Sequence, residues 1–374
     1  MKVLAWLCLT CLFTNLAYAR DSHELDTKSL IRHYSSELVA KGIVVPWAMA
    51  HLPNDDIIVS DRHGAVRVIR NGHLMTKSVT GLPDIVSDGQ GGLLDIALHP
   101  SFAKNSWLYF TYSTETKEGL NTALMRAKYD SQKLALSQRE LLYVGDVAAT
   151  GGRHFGSRIA FDDKGFVYFS IGDRGQREVN PQDLSKDAGK IYRLHDDGRI
   201  PKDNPFVENS SAKAAVYSYG HRNPQGMLFD HQTKLLWAHE HGPRGGDETN
   251  VIRKGANYGW PIISYGINYS GTKFTDLTHK AGMEQPALYW DPSIAPSALI
   301  KVTSDKYPAL KGKYLLGSLK FGYIVALEVA GENVIKQAQV LKGLGRVRSL
   351  MQGNDGFVYM GLDGGGVRKL VLKH

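Results

Sequence analysis

The sequence predicts an all-β protein with the architecture of a six-bladed β-propeller. Six short segments share one pattern, in which turn-forming residues precede a run of β-forming residues that ends on a polar residue or glycine. The segments are residues 55–61, 106–113, 165–173, 234–239, 313–318 and 356–361. They begin 43 to 79 residues apart, a spacing that straddles the length of a propeller blade. No helical periodicity competes with this pattern, so six repeats indicate six blades.

The segments between these strands carry turn and loop signals. They include residues 53–56, 70–72, 162–165, 196–198 and 354–356, which are rich in Asn, Asp and Gly. The stretch 42–45 precedes the first repeat, and we expect it to add the strand that closes the final blade, because closure removes exposed sheet edges. Residues 22–40 are the only plausible helical stretch. The expected organisation is an N-terminal lead segment over residues 20–40 and one propeller domain over residues 41–374.

Residues 1–19 have the features of a secretory signal peptide. Lys2 is followed by a mostly apolar run from Val3 to Leu16 and by the small-residue ending of residues 17–19. The alternative is a membrane anchor, but this run is shorter than the roughly 20 residues that cross a bilayer. Both cysteines lie inside residues 1–19, so the mature chain is expected to gain no stability from disulfides. The expected location is periplasmic or secreted, with no membrane span after cleavage.

The formal net charge of +8 does not identify a nucleic-acid partner. Basic proteins often bind nucleic acids or membranes, but here no block of Lys and Arg is longer than a pair. The basic residues are dispersed among acidic ones, which fits either a buried polyanionic ligand or charge that serves solubility alone. The chain has no P-loop, no dinucleotide-binding fingerprint and no nucleophile elbow.

The longer repeats direct attention to loops that are rich in Gly, Asn, Pro, His and Arg. His154 precedes the third repeat, and Asp173 ends it. A histidine is the usual general base at neutral pH, and a nearby carboxylate can fix its tautomer. A structural role for His154 stays open, because the chain contains 14 histidines.

Several polar and cationic residues could bind an anionic ligand. Arg346 and Arg348 would point to the same side of a strand, so both guanidinium groups could converge on one anion. Gln90 lies in a glycine-rich stretch, and Arg222 and Asn223 lie in a dense polar segment next to a β-run. Lys320, after the fifth repeat, is a further cation. Turn geometry or surface charge is the alternative explanation of these features.

Residues 239–248 are a candidate metal site. His239 and His241 would share a strand face, which makes zinc conceivable, but no third ligand has a recognised spacing. The carbonyls of residues 242–243, with the carboxylates of residues 247–248, suit a hard cation such as calcium better. A solvated polar loop without an ion is the alternative.

Taken together, these motifs resemble one family. In sequence and order they are similar to motifs of the soluble aldose sugar dehydrogenases that use pyrroloquinoline quinone. This group is also called the glucose/sorbosone dehydrogenase family. The similar segments are residues 89–94, 171–175 and 219–226, with 246–248 through 257–261. Each motif is weak alone, but the full set in family order is highly specific, and the resemblance runs from about Val45 to Leu370. The family fold is a six-bladed propeller.

The resemblance implies a role for each matching residue. His154 would take the proton of the sugar C1 hydroxyl while hydride moves to the quinone, and Asp173 would orient it. The residues implied to hold the cofactor are Gln90, Arg222, Asn223, Tyr269, Lys320, Arg346 and Arg348. The carbonyls of Gly242 and Pro243 would bind a catalytic calcium, and Glu248 and Tyr258 a second, structural one. The implied partners are an aldose and an electron acceptor that the sequence does not identify, for a monomer or homodimer.

Two departures from the family pattern affect the implied substrate. Arg153 stands where glucose-oxidising members have an acidic residue, which puts glucose preference in doubt. The chain also lacks the longer loops of some members, which suggests a more open cleft. The alternatives are a calcium-dependent lactonase-type hydrolase and a non-catalytic binding propeller. The first would need a ring of Asp, Asn and Glu about the axis, whereas this chain offers Arg and Lys.

Overall fold

The chain folds into six four-stranded antiparallel sheets, and the prediction of a six-bladed β-propeller is confirmed. The structure is a computed structural model that describes residues 19–25, 33–117, 119–146 and 151–373. The expected signal peptide therefore lies outside the described residues, apart from residue 19. No helix in these ranges is long and apolar enough to cross a membrane.

Five blades consist of four consecutive strands each. Blade 1 contains β2 (Pro46–His51), β3 (Ile57–Asp61), β4 (Ala65–Arg70) and β5 (His73–Leu74). Blade 2 contains β6 (Leu93–Leu98), β7 (Trp107–Thr116), β8 (Gly119–Asp130) and β9 (Ala135–Val144), with the short helix α1 (Phe102–Asn105) before β7. Blade 3 contains β10 (Ile159–Phe161), β11 (Val167–Ile171), β12 (Lys190–Leu194) and β13 (Val216–Tyr219). Blade 4 contains β14 (Pro224–Asp230), β15 (Leu235–Glu240), β16 (Asp247–Ile252) and β17 (Leu288–Trp290), and blade 5 contains β18 (Pro296–Lys301), β19 (Tyr314–Ser318), β20 (Tyr323–Ala330) and β21 (Asn333–Lys342).

The sixth blade joins the two ends of the chain. It contains β22 (Val347–Gln352), β23 (Val358–Leu362) and β24 (Gly366–Leu372), and its fourth strand is β1 (Tyr34–Ala40). Strand β1 pairs antiparallel with β24, with Tyr34 opposite Leu372. The expectation that residues 42–45 close the blade is therefore wrong, as is a helix over residues 34–40. Local helix propensity is overridden here because closing the ring offers β1 a continuous row of backbone partners along β24. A single 3₁₀ turn, Ser22–Glu24, lies in the described part of the lead segment.

The six segments recognised in the sequence all form the second strand of a blade, namely β3, β7, β11, β15, β19 and β23. Strands β3, β11, β19 and β23 are buried at every position. A strand that is covered on both faces needs a continuous run of apolar residues. This burial explains why the second strands gave the clearest sequence signal.

The hydrophobic core is divided among the six interfaces between neighbouring blades. Each interface holds one cluster of buried side chains, including the interface between blades 6 and 1. The first strands of the blades, β2, β6, β10, β14, β18 and β22, surround the central channel. The result is a closed ring that holds the loops at the two ends of the channel in fixed positions.

Candidate functional site

Most of the predicted site residues lie at one end of the channel. His154, Arg222 and Arg346 precede the first strands of blades 3, 4 and 6, whereas Asp173 and Lys320 lie between the second and third strands of blades 3 and 5. In an antiparallel blade, the start of the first strand and the connection from the second to the third strand lie at the same edge. The topology therefore brings together loops that are far apart in sequence.

His154 and Asp173 form a buried pair. The Nδ1 atom of His154 lies 2.6 Å from Oδ1 of Asp173, with the two side chains 12% and 1% exposed. The backbone N–H of Gly175 also donates to Oδ1, at 2.7 Å, and the indole N–H of Trp260 donates to Oδ2, at 2.8 Å. Burial alone would raise the pKa of Asp173, but these bonds and the neighbouring positive charge outweigh burial, so its pKa lies below the usual value. Asp173 is thus an ionised carboxylate with a donor on each oxygen.

The loop that carries His154 is held in an unusual conformation. His154 has a φ of +56°, and its backbone N–H donates to Oε1 of Gln90 at 2.8 Å. The buried guanidinium of Arg174 donates to the carbonyl oxygens of Arg153 and Gly151, the latter at 2.9 Å. These bonds fix the imidazole over the cleft. Because Nδ1 faces a carboxylate, it carries the proton, and Nε2 keeps its lone pair.

The cleft beside His154 has a volume of about 520 Å³. Burial lowers the pKa of His154 below its usual value, although Asp173 opposes this effect, so the imidazole is neutral at neutral pH. Tyr269 is 74% exposed and stands at the rim. The predicted site residues that line the cleft are His154, Asp173, Arg222, Pro243 and Tyr269, and the other lining residues include Arg153, Arg177, Trp260 and Asn268.

A second cavity of about 200 Å³ lies in the channel. Gln90, Asn223, Arg346 and Arg348 line it. The two cavities are neighbours, because Arg222 lines the cleft and the next residue, Asn223, lines the channel cavity. The structure therefore distributes the predicted residues between two adjoining spaces.

Arg346 and Arg348 do converge on one anion, which in this structure is the carboxylate of Asp363. Nε of Arg346 lies 3.1 Å from Oδ2 of Asp363, and Arg348 binds both carboxylate oxygens, at 3.1 and 2.8 Å. Arg62 lines the same cavity, and its Nε atom is buried without a hydrogen-bond partner. The cavity thus holds three guanidinium groups beside one carboxylate.

Lys320 is the predicted cofactor residue that lines neither cavity. Its side chain is exposed, and its Nζ atom lies 5.0 Å from the centre of the Phe321 ring. The preceding residue, Leu319, lines the channel cavity and accepts a hydrogen bond from Arg346 at 3.1 Å. Lys320 therefore lies near the mouth of the channel but does not point along it in this structure.

The loop between β15 and β16 reaches the wall of the cleft at Pro243. Asp247 holds this loop by accepting from the N–H groups of Gly242, at 2.8 Å, and Ala295, at 2.7 Å, and burial raises the pKa of Asp247 to about 6. The Pro243 carbonyl accepts a 3.3 Å bond from Ser293. The Gly242 carbonyl accepts no hydrogen bond from any described residue. A cation in the cleft would therefore find a free carbonyl oxygen here.

The two histidines next to this loop have structural roles. Nε2 of His239 bonds the carbonyl of Ala298 at 2.7 Å, and Nε2 of His241 bonds that of Pro296 at 2.8 Å. Burial lowers their pKa values to about 4 and about 3, respectively. Among the residues that the structure describes, no group of three or more His, Cys, Asp or Glu side chains could hold a metal ion.

Glu248 and Tyr258 lie in the same blade but offer different groups. Glu248 faces Glu240 across β15 and β16, and burial together with the Glu240 charge raises the pKa of Glu248 to about 8. Asn250 donates to Glu248 at 3.2 Å, and its own Oδ1 atom is buried without a partner. The Tyr258 hydroxyl is already bonded to the carbonyl of Val251 at 2.5 Å. A cation beside Glu248 would therefore meet carboxylate and amide oxygens, with only the backbone of Tyr258 left to contribute.

Several residues at the site were not predicted. Trp260 lies in the quoted motif of residues 257–261, so the motif located it without revealing its bond to Asp173. Arg177 lies two residues beyond the motif of residues 171–175 that contains Asp173. Arg62 and Asp363 lie between the second and third strands of blades 1 and 6, and no local pattern marks them.

The fold and the site define a propeller that holds a carboxylate-oriented histidine in an open cleft, with arginines gathered in the channel beside it. Comparisons with known proteins agree with this description. The sequence profile of the Glucose / Sorbosone dehydrogenase family matches residues 43–371. The chain belongs to this family.

Three relatives illustrate the similarity. Aldose sugar dehydrogenase YliI of Escherichia coli (strain K12) is 39% identical over 320 residues, which cover 84% of this chain and 86% of the relative. The crystal structure of the soluble aldose sugar dehydrogenase from Escherichia coli in the apo-form superposes with a TM-score of 0.85 at 36% identity, covering 91% of this chain and 99% of that one. The PQQ-bound aldose sugar dehydrogenase from Streptomyces coelicolor has a TM-score of 0.73 at 26% identity, covering 92% and 100%.

Proposed function

We propose that the protein oxidises the C1 hydroxyl of aldose sugars to the lactone, with pyrroloquinoline quinone and calcium as cofactors. The observation that carries the proposal is the His154–Asp173 pair, which opens onto a cleft beside a cavity lined with arginines. Two of the relatives, one named an aldose sugar dehydrogenase and one whose structure is PQQ-bound, support this choice of substrate and cofactor.

The channel cavity fits the charge of the proposed cofactor. The quinone carries three carboxylates, and guanidinium groups are the best partners for carboxylates because they offer paired donors. Arg62, Arg346 and Arg348 line the cavity, and Arg222 lines the adjoining cleft. Within the described ranges, Asp363 is the one carboxylate that pairs with Arg346 and Arg348, and Nε of Arg62 has no hydrogen-bond partner. These groups would hold the cofactor.

The loop over residues 242–247 fits a calcium ion. Calcium prefers hard oxygen ligands, including backbone carbonyls, and the carbonyl of Gly242 is free of hydrogen bonds among the described residues. We propose that Gly242 and Pro243 bind this ion. A second, structural calcium would bind the carboxylate of Glu248, near the unpartnered amide oxygen of Asn250, with the backbone carbonyl of Tyr258 as a further ligand.

The protein groups then have defined tasks. When bound, the quinone supplies a two-electron acceptor for the hydride at C1, and calcium polarises its reactive carbonyl. Nε2 of His154 accepts the proton of the C1 hydroxyl. Asp173 holds the proton on Nδ1 and stabilises the imidazolium that forms. Arg222, which donates to the carbonyl of His241 at 2.9 Å, is fixed at the wall of the cleft as a permanent positive charge.

The proposal is tested by adding the quinone and calcium to purified protein and measuring dye reduction with a panel of aldoses. His154→Ala removes the base, so turnover should fall by about 100-fold or more while the quinone still binds. The matched control is His231→Ala, because His231 forms an exposed pair with Asp163 at the opposite end of the channel. Full activity in His154→Ala, or no oxidation of any aldose by the intact protein, would contradict the proposal.

The hydrolase and binding-propeller alternatives have less support. A lactonase-type site would need a ring of acidic and amide side chains, and no metal-binding side-chain cluster occurs in the described ranges. A binding propeller gives no reason for a carboxylate that orients a histidine in a cleft. The periplasmic or secreted location stays a prediction from residues 1–19.

A further inference from the structure

We propose that the preferred substrates are aldoses that carry a negatively charged group remote from C1, as in a uronic acid. This inference rests on the proposed function and concerns the substrate end of the same cleft. Its basis is that Arg153 and Arg177 line the cleft in addition to the cations assigned to the cofactor. A neutral sugar would leave both guanidinium groups without a partner of opposite charge on the substrate.

Arg153 stands immediately before His154, and its side chain lies across the backbone of Gly175. A Cβ atom at residue 175 would come within 2.3 Å of Nε of Arg153, so the arginine side chain packs directly against this glycine. Arg153 forms no ion pair or side-chain hydrogen bond with any other residue in the described ranges. Its charge is therefore available to a ligand in the cleft.

Arg177 is held in place more firmly. Its Nη1 atom donates to Oδ1 of Asn268 at 2.8 Å, and its guanidinium carbon lies 4.4 Å from the centre of the Phe274 ring. Its Nε atom is 2.7 Å from Oε1 of Glu178, but that carboxylate is 73% exposed and so is well solvated. Arg177 thus presents an oriented guanidinium with further N–H donors for a ligand. Because the side chain is already held in place, little conformational entropy is lost when a ligand binds to it.

The charges in the cleft do not cancel. Asp173 is buried beneath the imidazole, and its oxygens accept hydrogen bonds from His154, Gly175 and Trp260. Glu178 is the remaining acidic residue among those that line the cleft. Against it stand Arg153 and Arg177, with Arg222 beside them. Such an imbalance attracts anionic substrates and raises their rate of association.

The test compares glucuronic acid, glucose 6-phosphate and glucose as substrates of the protein reconstituted with the quinone and calcium. At low ionic strength, kcat/KM for glucuronic acid should exceed that for glucose by about tenfold, and added salt should reduce this ratio. Arg153→Gln should lower the ratio by about fivefold or more. Arg139→Gln is the matched control, because Arg139 is exposed on β9 and its loss changes the net charge equally.

The outcomes separate this inference from the proposed function. Preference for glucuronic acid alone supports recognition of a carboxylate, and preference for both acids supports recognition of a negative charge in general. A kcat/KM for glucose at least as high as for both acids, or an Arg153→Gln ratio equal to that of Arg139→Gln, would overturn the inference and leave the proposed function intact. If no aldose is oxidised, the proposed function itself fails.

Discussion

The side chain of Trp260 links the catalytic pair to the wall of the cleft. Its indole N–H bonds Oδ2 of Asp173 at 2.8 Å, and its ring centre lies 5.4 Å from the guanidinium carbon of Arg222. Because Oδ1 of Asp173 faces the imidazole, the indole bond prevents rotation of the carboxylate. Trp260 is therefore a positioning residue that acts on His154 through Asp173.

Trp260→Phe should keep the aromatic ring beside Arg222 and remove only the hydrogen-bond donor. A bond to a charged group contributes about 1.5–3 kcal/mol, so kcat should fall by about tenfold. The base is active when neutral, so activity is present above the pKa of His154 and lost below it. Burial lowers this pKa, and the acid limb of kcat/KM in the unchanged protein should lie below the usual value of about 6.5. In Trp260→Phe the unshared charge on Oδ2 favours the imidazolium, so this limb should move to higher pH.

Trp237→Phe is a matched control for this change. The Trp237 indole is fully buried, and its N–H has no hydrogen-bond partner among the described residues. This variant therefore has a similar loss of volume without loss of a hydrogen bond. If the two variants have the same kcat and the same pH profile, the proposed role of Trp260 is wrong.

At the residue scale, the sequence located the motifs but not the pairings. His154 and Asp173 could be predicted as a pair because the resemblance assigns the roles of base and orienting carboxylate to these two positions. Asp363 could not, because it meets Arg348 only after the first and second strands of blade 6, β22 and β23, have paired. Lys320 shows the reverse case, in which a residue in the expected loop has a side chain that packs elsewhere.

Strands β15 and β16 place carboxylates at the two ends of the loop between them, with Glu240 at the end of β15 and Asp247 and Glu248 at the start of β16. Asp247 closes the loop over residues 242–246, and Glu248 faces Glu240 on the neighbouring strand. A pair of buried carboxylates without a cation is unfavourable, because burial and mutual repulsion both oppose ionisation. A bound cation would remove this penalty, so calcium should stabilise blade 4.

Calcium should therefore raise the melting temperature of the protein by a few degrees, and Glu248→Gln should abolish most of this rise. At 100 times the dissociation constant, a bound ion contributes about 2.7 kcal/mol to the free energy of unfolding. The measurement is thermal unfolding with calcium and with EDTA. Glu115→Gln, an exposed carboxylate on β7, is the control and should keep the full rise. An equal rise in both variants would place the stabilising ion elsewhere.

At the element scale, burial decided what could be predicted. The second strands were found from sequence because covered strands such as β3 and β11 need continuous apolar runs. Strand β1 was missed because it is an outer strand with a mixed burial pattern, and its partner β24 lies at the other end of the chain. Pairing between the two ends leaves no local sequence period.

The whole molecule depends on six similar interfaces arranged in a ring. Each cluster of buried side chains belongs to two neighbouring blades, so no blade has a complete core of its own. The site is made of loops from all six blades, and its geometry therefore depends on closure of the ring. Strand β1 completes blade 6 and carries Tyr34 into the cluster between blades 5 and 6.

Tyr34 allows the contribution of closure to be measured. Its side chain is fully buried, its ring centre lies 6.2 Å from that of Tyr307, and its hydroxyl has no hydrogen-bond partner among the residues that the structure describes. Tyr34→Ala should lower the free energy of unfolding by about 3–5 kcal/mol, because a large cavity opens beside blade 6. Tyr34→Phe should leave stability unchanged or raise it slightly, because it removes only an unpaired buried hydroxyl. The midpoints of urea unfolding, followed by tryptophan fluorescence, give the comparison. Equal midpoints for the two variants would show that β1 contributes little to the stability of the ring. If β1 couples the two ends of the chain, loss of the buried Tyr34 side chain should destabilise every blade.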